Sequence, residues 1–366
     1  EKGEIGPITS EFDFAEQVWS RPTESQISVP SLVIYARVDG GFSVWDQARG
    51  NKGFSFPLSY PVAFDETRSG AYHFTADTLW NGLQENGKTL CNGLIDDWVR
   101  WQYQPDQRRA SPFAVLSRVI EELSPHPREW MRPGRPTRVS IADVRDIPTI
   151  DLPYGNIPVI YASAGMKRIL GLAYLLVWTW YEHTHAAQLL NRQPTDRLVL
   201  LMDEVEAHLH PRWQRSLLPA LLSAVTELEE QIKAQVIVTT HSPLVLASVE
   251  PHFDDVKDKL FLFDLKDNRE VTLLQVPWTK QGDAVGWLTS EVFGLQQARS
   301  REAEIAIEAA EALMRGDAMD QYPEHLRTKE DIHQELLRLL PGHDPFWPRW
   351  LVDMDLLPQH IAVKSR

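Results

Sequence analysis

The chain has 366 residues, 43% of them hydrophobic and 24% charged, and a formal net charge of −14 at pH 7. This is the composition of an ordinary globular protein, with a length sufficient for two or three domains. The acidic balance argues against a broad, non-specific surface for nucleic acid, although it is compatible with a local basic patch.

The single cysteine, Cys91, excludes an internal disulfide and fits a cytoplasmic location. No apolar stretch reaches the ~18–20 residues that a membrane span needs, so we expect no membrane partner. No signal peptide is visible. The chain begins with Glu1 rather than Met, which fits a sequence truncated at its N-terminus.

The first predicted segment, residues 1–150, is expected to be an N-terminal lobe that contains strands and a helical insertion. Two apolar runs, 31–38 and 42–45, flank the turn residues Asp39-Gly40-Gly41 and predict a β-hairpin. Residues 112–124 have the apolar spacing of an amphipathic helix.

The segment 82–89 matches the pattern of a phosphate-binding loop, G-x-x-x-x-G-K-[ST]. That pattern binds phosphate only between a buried strand and a helix. The preceding residues contain no buried-strand run, and Asp77 is expected to cap a short helix that includes Leu79-Trp80. A helix over Thr89–Trp101 is compatible with the sequence. We therefore predict that Gly82–Thr89 is a coincidental match and a loop between two helices.

Arginines surround Trp130 in a Pro- and Arg-rich stretch, 125–137, which predicts a loop. Arginine beside an aromatic ring can hold backbone phosphate and stack on a base, so the loop is a candidate contact for nucleic acid. The alternative is a solvated loop with a packed Trp, and the sequence favours neither. The arginines concerned are Arg128, Arg132, Arg135 and Arg138.

The second predicted segment, 151–280, contains an apolar run, 198–202, that ends in the adjacent carboxylates Asp203 and Glu204. Such a run is typical of a central parallel strand, and ligands of open α/β sheets bind at the carboxyl ends of these strands. One carboxylate can hold Mg²⁺ and the other can polarise an attacking water. The alternative is a strand that ends in a solvated acidic turn.

Polar residues also stand at a helix start and at the end of a second apolar strand. Ser163 is a good N-cap for the apolar helix 169–181, and helix N-termini bind anions, although an ordinary capped helix has the same pattern. His241 follows the apolar strand 235–240 and can bond a phosphate oxygen or orient water. Between the two strands we predict a helix over 212–228.

In the order Ser-x-Gly, Asp-Glu, His, these clusters resemble the motifs of the ATP-binding cassette class of P-loop ATPases, in the branch of SMC, RecF and OLD-like proteins. The resemblance covers about residues 150–265. It implies an α/β fold: a P-loop NTPase core with a β-containing N-terminal part, a helical C-terminal tail, and ATP and Mg²⁺ as cofactors. The site residues that it implies are Ser163, Ala164 and Gly165 as the signature that caps ATP held by another subunit, Asp203 as the magnesium ligand, Glu204 as the general base and His241 as the sensor of the γ-phosphate.

The resemblance also implies a second ATPase subunit, in a head-to-head dimer or a higher oligomer. The true phosphate-binding loop is expected upstream of Glu1. His208 and His210, with Glu206 nearby, could suggest a zinc site, but zinc usually needs three or four convergent ligands. We interpret these residues as the loop that follows the Asp-Glu pair in this class.

Residues 259–265 and 270–276 predict a hairpin, and the third segment, 281–366, is expected to be a helical tail and a possible partner-binding region. Helices are predicted over 301–314 and 329–340. An aromatic loop, 341–350, should follow, and its side chains are expected to fold back onto the core of the tail.

Asp353 and Asp355 have the spacing of a nuclease's paired aspartates, but the tail is too short and too helical for that domain, so we predict no nuclease site. The tail resembles instead the ATPases of bacterial anti-phage systems of the Septu and retron type, which work with a separate HNH nuclease. Glu291–Leu295, followed by Arg299–Arg301, adds to this resemblance.

The sequence therefore predicts an ATP-binding and ATP-hydrolysing subunit that acts as a nucleotide-dependent switch in an anti-phage defence or DNA-processing complex and controls a separate nuclease. The alternatives are a non-hydrolysing scaffold that binds a nuclease, and a DNA repair or recombination ATPase of the SMC or RecF type. The presence of both Asp203 and Glu204 favours hydrolysis, whereas a missing phosphate-binding loop would favour the scaffold.

Overall fold

The computed structural model describes residues 12–13, 18–19, 32–46, 71–104, 111–228, 232–266 and 269–354. They fall into two compact units that divide between Asp254 and Asp255. The first unit contains the Asp-Glu and His motifs, and the second contains a hairpin and the helices of the tail.

The strands of the first unit are β1 (Phe12–Asp13), β2 (Val18–Trp19), β3 (Leu32–Ala36), β4 (Phe42–Trp45), β5 (Ala71–Phe74), β6 (Leu83–Glu85), β7 (Lys88–Cys91), β8 (Arg132–Pro133), β9 (Thr149–Leu152), β10 (Gly155–Pro158), β11 (Arg197–Met202) and β12 (Lys233–Val238). Its helices are α1 (Ala76–Asn81), α2 (Leu94–Tyr103), α3 (Pro112–Glu122), α4 (Ala164–Leu189), α5 (Pro211–Gln214), α6 (Leu217–Leu228) and α7 (Pro243–Val249).

A five-stranded sheet with the order β12-β11-β3-β4-β5 forms the centre of the first unit. β11 pairs in parallel with both β12 and β3, which confirms the central parallel strand predicted from 198–202. Leu200, which lies opposite Val236 and Ile34, is fully buried. The antiparallel pairing of β3 with β4 confirms the hairpin predicted around Asp39-Gly40-Gly41.

The long helix α4 packs with α3 and α6, and these helices share one apolar core with residues of the sheet. α4 begins where the Ser163 hydroxyl accepts a hydrogen bond from the amide of Met166. It extends beyond the predicted end near Tyr181 because no Gly or Pro interrupts it before Asn191. Asn191 has a left-handed φ of 49°, a conformation that ends helices.

A buried histidine anchors the far part of α4. The Nδ1 atom of His183 lies 2.6 Å from Oδ1 of Asp46, and both side chains are buried. The amide of Thr195 donates to Nε2 of His183 at 3.0 Å. Because Nε2 is therefore an acceptor, Nδ1 carries the proton and donates to Asp46.

A second buried polar cluster joins α2 to α4. The hydroxyl of Tyr174 donates to Asp97 at 2.8 Å, and the side-chain amide of Asn92 donates to the other carboxylate oxygen at 2.8 Å. Burial raises the pKa of Asp97 above its ordinary value, and these hydrogen bonds offset only part of that effect. Cys91 completes the cluster, with its Sγ atom 3.0 Å from the Tyr174 hydroxyl oxygen.

The segment that matches the phosphate-loop pattern is a β-hairpin, not the predicted loop between two helices. β6 and β7 pair across Asn86 and Gly87, whose φ angles of 50° and 74° are both positive. Positive φ at both central residues is the geometry that Asn-Gly favours in two-residue hairpin turns. Lys88 therefore lies exposed on a strand, and no helix starts at Thr89.

The helices on either side of this hairpin also begin at different residues from those predicted. The cap of α1 is Thr75 rather than Asp77, because the Thr75 hydroxyl accepts a hydrogen bond from the amide of Thr78 at 3.1 Å. The next helix, α2, starts at Leu94.

Two other predicted boundaries need correction. The helix expected over 212–228 divides into α5 and α6 at a turn, where the hydroxyl of Ser216 bonds back to the carbonyl of Arg212 at 3.2 Å. The Pro- and Arg-rich loop includes the two-residue strand β8, which pairs with β9. Helix α3 agrees with the amphipathic helix predicted over 112–124.

The second unit contains strands β13 (Leu260–Leu265) and β14 (Val271–Val276) and helices α8 (Ala284–Leu288), α9 (Arg301–Arg315), α10 (Lys329–Leu339) and α11 (Phe346–Asp353). The predicted hairpin and the first two predicted tail helices are confirmed. The stretch predicted as an aromatic loop is partly helical, because α11 begins at Phe346.

The tail aromatics belong to the core of the second unit. Phe346, Trp347 and Trp350 are buried in one apolar cluster with residues of α9 and α10, as predicted for a tail that folds back onto itself. Arg299 forms an ion pair with the buried carboxylate of Asp344 beside this cluster. Asp353 ends α11, and Asp355 lies outside the described residues.

None of the helices in the described ranges combines the length and the apolar character that crossing a membrane requires.

Candidate functional site

Asp203 and Glu204 directly follow β11. Thr239, the residue directly after the neighbouring strand β12, forms a hydrogen bond with each of them. The hydroxyl of Thr239 donates to Oδ1 of Asp203 at 2.7 Å and accepts a hydrogen bond from the amide of Glu204 at 2.9 Å. The amide of Asp203 bonds to the carbonyl of Ala36 at 2.9 Å, which continues the pairing towards β3. The Asp-Glu pair is therefore fixed at the carboxyl edge of the sheet.

Glu204 adopts a backbone conformation that is unusual for a residue with a side chain. Its φ angle is 44°, in the left-handed region, where a non-glycine residue costs on the order of 1 kcal/mol or more. The carbonyl of Glu204 accepts the amide of Ala207 at 2.8 Å, which closes a tight turn. The carboxylate remains 43% exposed and can contact a ligand.

His241 lies beside Glu204 at the same edge of the sheet. Its Nε2 atom is 3.9 Å from Oε1 of Glu204, and the imidazole is 86% exposed. The residues come from the ends of two adjacent parallel strands, which bring them together although they are far apart in sequence. An exposed imidazole and an exposed carboxylate at this distance can act on one ligand.

The start of α4 packs against the loop that follows Glu204. A Cβ atom on the buried Gly165 would lie 3.1 Å from the carbonyl oxygen of His208, so the close approach favours glycine here. Ser163 and Ala164 are exposed, which leaves the N-terminus of the helix open to a ligand. The structure thus places the Ser-x-Gly motif next to the loop that carries the carboxylates.

Arg168 contacts the same loop and was not singled out from the sequence. Its guanidinium donates to the carbonyls of Asp203 and Glu204 at 3.4 Å each and to that of Val38 at 3.2 Å. Burial lowers the pKa of Arg168, while surrounding carboxylates, Glu206 first among them, favour its charged form. The available signal was a lone arginine at the start of an otherwise apolar helix.

Glu206, which the sequence placed in the loop after the Asp-Glu pair, contacts the residues that follow β12. Its carboxylate accepts hydrogen bonds from the hydroxyl of Thr240 and the amide of His241. The two threonines at the end of the strand, Thr239 and Thr240, were the sequence signal for these contacts.

The chemistry of the donors fits Mg²⁺ better than zinc. His210 caps α5, since its Nδ1 atom accepts the amide of Arg212 at 3.2 Å. Within the described ranges, no three or more His, Cys, Asp or Glu side chains cluster in a way that could hold a metal. Mg²⁺ needs no such cluster, because it commonly takes one or two carboxylates together with substrate phosphates and water. Asp203, with an oxygen fixed by Thr239, provides such a carboxylate.

Two of the arginines around Trp130 form contacts within the protein. Arg132 lies over the ring of Trp130, with its Cζ atom 5.2 Å from the ring centroid, and pairs with Glu121 at 3.1 Å. Arg138 donates to the carbonyl of Val144. All four arginines of the loop are exposed. Two of them are thus partly engaged within the protein.

Comparison with known proteins finds similarity to an AAA-domain family and to proteins of the Septu and retron type. Residues 72–247 match the family model described as "AAA domain, putative AbiEii toxin, Type IV TA system". The Septu protein PtuA of Bacillus mycoides (strain KBAB4) is 34% identical over 98 residues, 26% of this chain and 12% of that protein. The matched segment contains Ser163, Asp203, Glu204 and His241.

Two further curated proteins are similar to part of this chain. The Septu protein PtuA of Bacillus thuringiensis is 29% identical over 150 residues, 40% of this chain and 34% of that protein. "Retron Ec83 probable ATPase" of Escherichia coli is 27% identical over 146 residues, 39% of this chain and 22% of that protein. The chain thus spans only about an eighth to a third of the length of these curated relatives.

A solved structure of the SMC head bound to the C-winged helix domain of ScpA is also similar. It has 18% sequence identity and a TM-score of 0.26, and the match covers 44% of this chain and 41% of that chain.

Proposed function

We propose that this chain is the ATP-binding and ATP-hydrolysing subunit of a bacterial anti-phage defence complex, in which it acts as a nucleotide-dependent switch that controls a separate nuclease. The observation that carries the proposal is the meeting of Asp203, Glu204 and His241 at the carboxyl edge of two parallel strands. Ligands of open α/β sheets bind at this edge.

Each residue has a role that follows from its chemistry. Bound Mg²⁺–ATP supplies the phosphoanhydride bond and the charge that the site must stabilise. Asp203 contributes a carboxylate oxygen to the metal. Glu204 accepts the proton of the attacking water, and His241 hydrogen-bonds the γ-phosphate. The hydrogen bond from the amide of Glu204 to the hydroxyl of Thr239 holds the backbone of the base in place for this step.

The phosphate-binding loop is proposed to lie beside β12 rather than at Gly82–Thr89. β12 is at the end of the strand order, and its outer edge pairs with no strand in the described part of the chain. A strand that adds to this edge in parallel would deliver its loop next to His241 and Asp203. The hairpin at 82–89 has neither the buried strand before it nor the helix after it that the pattern requires.

The Ser-x-Gly motif supports a shared site between two subunits. Ser163, Ala164 and Gly165 are proposed to cap ATP that is held by a second copy, in a head-to-head dimer with two-fold symmetry. The exposed start of α4 offers amides and the positive end of a helix dipole to the γ-phosphate. ATP then joins the two subunits, and hydrolysis releases them.

Two further partners belong to the proposal. The similarity to Septu and retron proteins supports a defence complex. We further propose a cytoplasmic location and an HNH-type nuclease partner, for which the tail, 281–366, is the proposed contact. Exposed Arg128 and Arg135, with Arg132 and Arg138, are proposed to contact nucleic acid, because arginine beside Trp130 can bind phosphate and stack on a base.

Substitution of the general base tests the function. In the full-length protein, Glu204→Gln should retain ATP binding while the rate of hydrolysis falls by about 10²-fold or more, because the amide cannot accept the proton. Glu302→Gln, which removes an exposed carboxylate from α9, is the control. A wild-type protein that binds ATP without hydrolysing it would favour the scaffold alternative. Turnover near the wild-type rate in Glu204→Gln would remove Glu204 from its role.

A further inference from the structure

The carboxylate of Glu206 clamps the residues at the end of β12. Its Oε2 atom accepts the hydroxyl of Thr240 at 2.6 Å, and its Oε1 atom accepts the amide of His241 at 2.5 Å. Hydrogen bonds to an ionised carboxylate are short and about twice as strong as neutral ones. The hydroxyl of Thr240 accepts the amide of Ser242 at 3.0 Å, so the clamp extends through three successive residues.

The loop that carries Glu206 is itself fixed. Val205 is fully buried, and its amide donates to the carbonyl of Thr239 at 3.2 Å. The carbonyl of Glu206 accepts the amide of Leu209 at 2.9 Å, which continues the turn that began at Glu204. Glu206 therefore bridges two segments, one with the proposed base and one with the proposed γ-phosphate sensor.

Arg168 connects this bridge to the start of α4. Its guanidinium donates to the carbonyls of Asp203 and Glu204, and the charge of Glu206 favours its protonated form. Arg168 follows Ser163 by little more than one helical turn. Arg168 thus joins the first turns of α4 to the backbone that carries the carboxylates.

We propose that Glu206 is a positioning residue for ATP hydrolysis, which fixes His241 relative to Glu204, and that Arg168 ties this arrangement to the signature helix. The inference rests on the proposed function. In a head-to-head dimer, the phosphate at Ser163 and the phosphate at His241 belong to different ATP molecules. The hydrogen bonds from Arg168 to the carbonyls of Asp203 and Glu204 therefore link the two ATP sites through one subunit.

Glu206→Gln tests the positioning role, because one amide oxygen replaces two charged acceptors. We expect kcat to fall by about 10-fold or more while KM for ATP stays within about 3-fold, the pattern of an interaction needed in the transition state. Hydrogen exchange read by mass spectrometry should show faster exchange in the peptide that contains the His241 amide and unchanged exchange elsewhere. Thr240→Ser keeps the hydroxyl and is the matched control.

The outcomes separate this inference from the proposed function. A wild-type protein without ATP hydrolysis contradicts the proposed function, whereas an active wild type with an equally active Glu206→Gln variant contradicts only the positioning role. Faster exchange throughout the first unit would mean that Glu206 merely stabilises the fold, and would also overturn it. Should Glu206→Gln fail to fold, Thr240→Val removes one donor and should give the same pattern at smaller amplitude.

The connection through Arg168 has its own measurement. Wild-type hydrolysis should be cooperative in ATP, and Arg168→Gln should move the Hill coefficient towards 1 because the two sites lose their link. Arg118→Gln is the control, since Arg118 is another half-buried arginine that donates to a carbonyl, that of Ala114 on α3. Non-cooperative hydrolysis by the wild type, or unchanged cooperativity in Arg168→Gln, would overturn the link.

Discussion

The hydroxyl of Thr239 donates a hydrogen bond to Oδ1 of Asp203 at 2.7 Å. The hydroxyl oxygen of Thr239 also accepts a hydrogen bond from the amide of Glu204. One side chain directly after β12 therefore sets the position of both carboxylate residues after β11. Thr239 is therefore expected to be a positioning residue of the proposed site.

Thr239→Val should slow ATP hydrolysis with little effect on folding. Valine has the shape of threonine but neither donates to Asp203 nor accepts from Glu204, and we expect the loss to lower kcat by about 10-fold, or ~1.4 kcal/mol. Steady-state ATPase assays with thermal melting as a control measure this. Thr239→Ser retains the hydroxyl and should stay close to wild type. Equal activity of the valine and serine variants would argue against the role of the hydroxyl.

Lys88→Ala should leave the affinity for ATP nearly unchanged, because Lys88 lies exposed on a hairpin strand and not in a loop between a strand and a helix. Binding of a fluorescent ATP analogue, with circular dichroism to check the fold, is the measurement. Loss of nucleotide binding by a folded Lys88→Ala protein would identify Gly82–Thr89 as the phosphate-binding loop after all.

A mixture of two inactive variants should recover part of the ATPase activity. Ser163→Arg blocks the start of α4, and Glu204→Gln removes the proposed base. A mixed dimer then contains one intact composite site, built from Glu204 of one subunit and Ser163 of the other. Titrating one variant against the other while measuring hydrolysis tests this. Mixed dimers that form but stay inactive would contradict the shared site.

The free energy of unfolding of Asp97→Asn, relative to that of the wild type, should increase as the pH rises. The folded-state pKa of Asp97 is raised above 3.8 by burial, so its contribution to stability is fully present below the unfolded pKa and is lost as the pH rises through the folded pKa. Asparagine does not ionise, so it loses no stability over this pH range. Its side-chain oxygen can still accept a hydrogen bond from Asn92, and its amide can donate one to the Tyr174 hydroxyl.

The measurement for this prediction is urea unfolding of both proteins between pH 4 and pH 7, by the linear extrapolation of the free energy of unfolding. The exposed neighbour Asp96→Asn controls for the loss of one negative charge on α2. A free-energy difference between Asp97→Asn and wild type that does not change with pH would contradict the raised pKa.

The two strands that carry the candidate site could be predicted because two apolar runs each end in polar residues. The pattern places Asp203, Glu204 and His241 at strand ends, and the family resemblance supplied their expected roles. The structure does bring Glu204 and His241 together. The contacts of Arg168 and Glu206 could not be predicted. They depend on which residues of separate segments face each other, and no local spacing records that.

The hairpin at Gly82–Thr89 was predicted as a loop between two helices for a different reason. Asn86-Gly87 is among the strongest short signals for a hairpin turn, but the apolar alternation expected in the flanking strands is weak, with exposed Gln84, Glu85 and Lys88. The end of α4 was also predicted too early, because polar residues after Tyr181 weaken the apolar pattern without interrupting the helix.

The length of α4 has a mechanical consequence. Its 26 residues span about 39 Å, from the candidate phosphate site at one end towards His183 near the other. At that second place the imidazole is held by Asp46 and by the amide of Thr195, so the helix is attached to the sheet at a point remote from ATP. The two ends of α4 are therefore held independently, by Arg168 close to the candidate phosphate site and by His183 far from it.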